Sequence, residues 1–197
     1  FGKRFWGFRR PTVIGEQDGR NNNKYWKERR GYWAAFASGY HFGRIDRHYE
    51  LADGDRLRES TLFGHEGDPA IYTYLAHLRT FVEDGPVSFW RMVPTDEPLA
   101  EADRSVYCLA EPGREYVVYF AAGGSAHLTL PAGRYRVRWF DPRLGQFGED
   151  QELQADGGLA GPSPAGGSNP TDSAPAVAFT APDTEDWALL VQKVAEA

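Results

Sequence analysis

The sequence predicts an α/β segment over residues 1–98 followed by an all-β antiparallel sandwich over residues 99–197. Three observations carry that division. In the first part, short strand-like runs alternate with helix-length apolar patterns, an order that implies parallel strands covered by helices. In the second part, the runs are all short, rich in β-branched and aromatic residues, and separated by turn clusters, as in an antiparallel sandwich. Between the two lies VPTDEPLAEAD, residues 93–103, rich in proline and acid.

The elements follow in chain order. PTVIGE, residues 11–16, is a short buried-strand candidate. NNNKYWKERRGYWAAFASG, residues 21–39, turns helical: Tyr25, Tyr32 and Phe36, with Trp26, Trp33 and Ala37, recur at spacings of three, four and seven. The asparagines at 21–23 supply an N-cap and Gly39 a stop. GYHFG, residues 39–43, is a second short strand, and the polar stretch from Arg44 to Gly67 is long enough to suggest a functional loop. A second helix opens at Asp68-Pro69, buries Ala70, Ile71, Tyr74, Leu75, Leu78, Phe81 and Val82, and ends at Gly85-Pro86.

In the second part, SVYCLA, EYVVYFA, AHLTL, RYRVRWF, AVAFT and WALLVQK read as strands. Tyr135, Val137 and Trp139 alternate with Arg134, Arg136 and Arg138, giving an apolar face and a solvated cationic one. The stretch of Gly, Pro, Ser and Ala at about 155–176 reads as a flexible loop between two strands.

Composition sets limits on function. The 197 residues are 41% hydrophobic and 14% aromatic, enough for a core. A net charge of −6 leaves no basic footprint for nucleic acid, although Lys3-Arg4 and Arg29-Arg30 form short basic clusters. No run approaches the ~20 apolar residues of a membrane helix. The single cysteine, Cys108, excludes an internal disulfide and reads as a buried thiol. His41, His48, His65, His77 and His127 show no metal-ligand spacing, so neither metal nor cofactor is expected. Glu16, just past Val13-Ile14, is either a solvated turn residue or a carboxylate at the lip of a pocket.

RPTVIGEQDG, RRGYWAAFASG, GYHFG and LAHLRTFVEDGPVSFWRMVP resemble the last two βα units of a bacterial (β/α)₈ glycoside-hydrolase-like (TIM) barrel, from the clan of retaining enzymes with carboxylates on strands four and seven. GREYVVYF, LPAGRYRVRWFDPRLGQF and APDTEDWALLV are similar, in order and spacing, to the small β-sandwich labelled collagen-binding that is attached to such barrels. The resemblance implies that Glu16 is the nucleophile, standing at the strand end where such barrels build their sites. It implies substrate contacts from Gln17, His41 and Arg44, with Asp18, Asp46 and His48 nearby. Each also has a plain reading, as turn, core or loop residue. The general acid/base, which retention places about 5–5.5 Å from the nucleophile, is expected from a missing N-terminal barrel segment.

The chain, which starts at Phe1, is therefore expected to be a C-terminal fragment. Its parent would hydrolyse a polysaccharide or oligosaccharide and, by resemblance, be secreted or periplasmic; the chain alone would be inactive. The alternative is a non-catalytic carbohydrate- or matrix-binding or support module. Exposed aromatics on the sandwich would favour sugar binding, and an apolar patch facing residues 70–92 would favour bracing. Trp6, Trp26, Trp33, Trp139 and Trp187 read as core, and Trp90 as an interdomain anchor.

Overall fold

The computed structural model describes residues 13–14, 25–42, 51–52, 56–57, 69–156 and 176–195, with side chains described for 29–41, 72–156 and 176–195. Strand β1 (Val13–Ile14) precedes helix α1 (Tyr25–Ala37). The helix ends at Gly39, whose φ of +72° lets the Gly39 and Tyr40 amides return to the Phe36 and Ala35 carbonyls, each at 2.9 Å. Strand β2 (His41–Phe42) then pairs in parallel with β1, Val13 opposite His41 and Ile14 opposite Phe42. β3 (Leu51–Ala52) and β4 (Arg56–Leu57) form a small antiparallel pair.

Helix α2 (Pro69–Asp84) begins with proline at its first position, where a missing N–H costs nothing. It closes at Gly85, whose amide bonds the Phe81 carbonyl at 3.0 Å. A Cβ at that position would sit 2.4 Å from the same oxygen, so the turn requires glycine. A 3₁₀ turn over Phe89–Arg91 leads onward, and from there every described element is a strand. These are β5 (Val93–Pro94), β6 (Leu99–Ala102), β7 (Val106–Glu111), β8 (Glu115–Phe120), β9 (Ser125–Thr129), β10 (Gly133–Asp141), β11 (Gln146–Phe147), β12 (Gln151–Ala155), β13 (Ala176–Thr180) and β14 (Trp187–Lys193).

Seven of them form one antiparallel sheet in the order β11-β10-β14-β8-β7-β5, with β12 also pairing with β10. Three form a second antiparallel sheet, β13-β9-β6. The central strands of the large sheet are apolar on both faces, and in β8 all six residues are buried. Tyr116, Val118 and Phe120 of β8, with Leu189 and Val191 of β14, face Ala126 and Leu128 of the small sheet. Val117, Tyr119, Leu190 and Phe140 face the other way and meet Trp33 of α1 and Leu78 and Phe81 of α2. Trp33 stacks on Tyr119 at 5.7 Å and meets Phe81 edge-on at 5.0 Å, and Phe81 meets Phe140 edge-on at 5.2 Å.

This arrangement corrects the expected fold class. The described residues make an all-β fold, mostly of antiparallel sheets, with two helices, and not the end of a TIM barrel followed by a sandwich. Among the described residues, parallel pairing is confined to β1 with β2, apart from an isolated bridge between Ala121 and Gly123. The strand–helix alternation does occur, but the apolar faces of α1 and α2 cover the outer face of the large antiparallel sheet instead of a parallel one. The six predicted strand runs of the second part all form, within a residue or two. Strands β5, β6, β11 and β12 escaped the sequence pattern, being short or largely exposed. The loop predicted at about 155–176 lies outside the described residues except at its ends.

Trp33 has none of its surface exposed and joins both helices to the sheet. Trp33→Ala is expected to lower unfolding free energy by about 3–5 kcal/mol, measured by urea denaturation. A loss under about 1 kcal/mol would mean that the helices do not share the fold's core.

Candidate functional site

Of the predicted site residues, Glu16, Gln17 and Arg44 lie outside the described residues, as do Asp18, Asp46 and His48. His41 is described: it opens β2 and is exposed, not a core histidine. Glu16 and Arg44 each follow, two residues on, the C-terminal end of strands that run side by side in one direction.

A buried polar cluster ties α1 to the sandwich. Arg29 donates to both oxygens of Asp186, Nε to Oδ2 at 3.0 Å and Nη2 to Oδ1 at 2.5 Å. The Tyr119 hydroxyl donates to Oδ2 at 3.2 Å, and the guanidinium lies over the Tyr74 ring of α2, 4.8 Å from its centroid. Both ionised groups are buried. Burial works against the charge on Arg29, but Asp186 outweighs it and holds the guanidinium protonated. Burial, reinforced by Asp186, pushes the Tyr119 phenol well above its ordinary value, so it stays a donor. Arg30 adds weaker, more exposed bonds to Glu185 at 2.8 Å and to Asp186 at 3.5 Å.

A second polar cluster fixes the chain leaving α2. Glu115 at the start of β8 is buried and accepts from the Ser88 amide at 3.0 Å and the Gln192 side-chain amide at 2.7 Å. Gln192 also donates to the Gly85 carbonyl at 2.9 Å. Behind it stands Arg138, 6% exposed, within 3.4 Å of both the Gly85 carbonyl and the Gln192 oxygen. Its guanidinium lies over the Phe147 ring at 4.3 Å. The expected solvated arginine face is thus wrong at one of its three positions: Arg134 and Arg136 are exposed, and Arg136 bonds Asp150 at 2.7 Å, whereas Arg138 is interior. Strand alternation alone gave no sign of this, because the cover over that face comes from α2 and β11.

Beside this cluster an open groove of about 480 Å³ runs between the 3₁₀ turn, the β7–β8 hairpin and the end of β14. Ser88, Arg91, Glu111, Arg114, Gln192 and Lys193 line it. Sequence reasoning missed this site, since its residues are far apart in the chain and belong to no motif. At the other end of the large sheet, Arg143 bonds Asp141 at 2.8 and 2.7 Å and Asp183 at 3.1 Å, and Asp183 accepts from the Trp187 indole at 2.7 Å. Burial pushes the Asp141 carboxyl up, yet the bonds from Arg143 win and leave it below its usual value.

Trp139 and Trp187 pack against the sandwich core, and Cys108 is buried there, as expected. Trp90 is 69% exposed and touches Phe89 edge-on at 5.4 Å. Among the described residues no group of three or more His, Cys, Asp or Glu could hold a metal ion, and no helix is long and apolar enough to cross a membrane.

Two solved structures share this architecture. One is described as a glycoside hydrolase, with a TM-score of 0.62, 13% identity and 95% of this chain covered. The other is a glycoside hydrolase family 5 protein from Bacteroides vulgatus, with a TM-score of 0.59, 16% identity and 95% of this chain covered. The likeness is one of fold. The chain spans 43% and 42% of the lengths of these two structures. No family model matches the sequence, and no curated protein matches it.

Removing one partner of the buried pair strands the other, so Asp186→Asn is expected to cost about 3–5 kcal/mol of stability and to loosen α1, measured by denaturation and by amide exchange in residues 29–37. Asp141, with its lowered folded value, contributes stability that is fully present above the unfolded pKa of ~4 and is lost as pH falls through the lower folded one. Thermal melts of wild type and Asp141→Asn should therefore differ near neutrality and converge towards pH ~2; a gap that does not change with pH would refute the linkage.

Proposed function

We propose that the chain is the C-terminal, sandwich-bearing part of a glycoside hydrolase and is inactive alone. The observation that carries this is the coverage: two solved glycoside hydrolases share the fold over 95% of this chain, which spans less than half of each. In this reading the parent cleaves O-glycosyl bonds of a polysaccharide or oligosaccharide with retention, outside the cytoplasm and without a cofactor. Residues 1–98 carry the catalytic contribution, and residues 99–197 the sandwich. Glu16 is the nucleophile, Gln17, His41 and Arg44 contact sugar, and the acid/base comes from the rest of the parent. What favours that grouping is the parallel pairing of β1 with β2, the two strands that Glu16 and Arg44 each follow by two residues in the sequence.

Phe89, Trp90 and Val93 support the fragment reading. They are the exposed large apolar residues around the 3₁₀ turn, 43%, 69% and 41% exposed, and the remainder of the parent would cover them. Within that parent the sandwich acts as a brace. What favours bracing over ligand capture by the outer face of the large sheet is that Val117, Tyr119, Leu190 and Phe140 are already covered by α1 and α2.

The purified chain is expected to release no product from aryl glycosides. The parent, expressed from the full coding sequence, is expected to do so and to lose orders of magnitude in turnover on Glu16→Gln. Hydrolysis by the chain alone would overturn the inactive-fragment reading, and full activity of the substituted parent would remove Glu16 from the chemistry.

A further inference from the structure

We infer that the groove between the 3₁₀ turn and the ends of β7, β8 and β14 is a binding site for a saccharide that carries an anionic oxygen group. Three cations, Arg91, Arg114 and Lys193, line it against two carboxylates, Glu111 and Glu115. That is a local excess of positive charge in a chain whose net charge is −6. The carboxylates are also already engaged. Glu115 accepts from Ser88 and Gln192, and Glu111 stands 3.6 Å from Arg114. Lys193 Nζ donates to the Ala132 carbonyl at 3.2 Å, and Arg138, behind Gln192, stands 3.7 Å from Asp150, which leaves Arg91 as the lining cation without a partner.

Arg91 carries the inference furthest. Among the described residues its guanidinium has no hydrogen-bond or ion-pair partner, although a planar fork of five donors suits a carboxylate or sulfate better than water does. Its backbone is held, because the Arg91 amide bonds the Ser88 carbonyl at 2.9 Å and Ser88 is in turn fixed to Glu115. The Ser88 hydroxyl caps nothing and is open to a ligand hydroxyl. A volume of about 480 Å³ lies within the range of small-ligand sites. Two groups thus suit one ligand: a cation without a partner on a held backbone, and uncharged polar groups, Ser88 and Gln192, suited to hydroxyls.

The saccharide part rests on the proposed glycosidase relationship; the charge selectivity does not. The test is calorimetric titration of the whole chain at low salt with an oligogalacturonate, a sulfated oligosaccharide, a neutral cello-oligosaccharide and citrate. Arg91→Gln and the control Arg104→Gln, on the turn at the opposite end of β7, are titrated alongside. Binding of at least one acidic oligosaccharide that weakens about tenfold or more in Arg91→Gln, holds in Arg104→Gln and falls with salt is the expected result. The carboxylated and sulfated ligands show which anion fits. Absence of binding to either, or equal binding by Arg91→Gln, overturns the inference and leaves the proposed function standing. Equal binding of the neutral oligosaccharide overturns the charge selectivity while favouring a carbohydrate role. Citrate bound as tightly as the acidic oligosaccharides overturns the saccharide part and counts against that role. Arg91 is exposed, so unchanged melting of the variant confirms that folding is not what the titration reads.

Discussion

The structure depends on one constraint: the large sheet is apolar on both faces. Strands β8 and β14 alternate within continuous hydrophobic runs, so that Tyr116, Val118 and Leu189 point one way and Val117, Tyr119 and Leu190 the other. A sheet of that kind cannot leave either face in water. The three-stranded sheet covers one face and the two helices cover the other. The helices are therefore part of the sheet's burial, and Trp33, Leu78, Phe81 and Met92 belong to the same core as Val117, Tyr119, Phe140 and Leu190. The Arg29–Asp186 pair orients that cover: burying an ion pair is a poor source of stability but a strict one of geometry, since a helix shifted by a turn would strand both charges.

The polar links obey the same logic at the edge of the apolar interface. Each lies where a helix or its exit meets the sheet, and each saturates a buried carboxylate: Asp186 by Arg29 and Tyr119, Glu115 by Ser88 and Gln192. Gly85 permits the second link, because the chain leaves α2 close enough for its carbonyl to receive Gln192. A bulkier residue would clash with the Phe81 carbonyl and with Leu190.

Many of the strands after residue 98 were legible in the sequence, and the reason is physical. SVYCLA, EYVVYFA and WALLVQK are buried on both faces, so their hydrophobic runs are continuous and their turns punctuated. The helix limits were legible for a similar reason, since Gly39 and Gly85 end them through local geometry. What periodicity could not show was the partner of each apolar face. The pattern in RRGYWAAFASG requires a cover but is the same whether that cover is a parallel barrel or the back of an antiparallel sheet, and here it is the latter. Arg138 was misread for the same reason, being covered by elements far away in the chain. The groove was illegible because Ser88, Arg91, Arg114 and Gln192 share neither spacing nor type.

The groove and the brace are not separate features. Its walls come from the exit of α2 and from β8 and β14, and the bonds that join those walls are the same Ser88–Glu115 and Gln192–Gly85 links that fix the helices to the sheet. A ligand entering there would meet walls already set relative to one another, which lowers the entropic cost of binding. The converse also holds. A displacement of α2 would be felt first at Gly85 and Ser88, and so at the groove, before it reached the sandwich core. A sheet that served only as packing could have closed this junction with apolar side chains at lower desolvation cost. This sheet keeps a buried glutamate, a glutamine and an arginine there instead, so the polar junction that supports the helices also sets the walls of the groove.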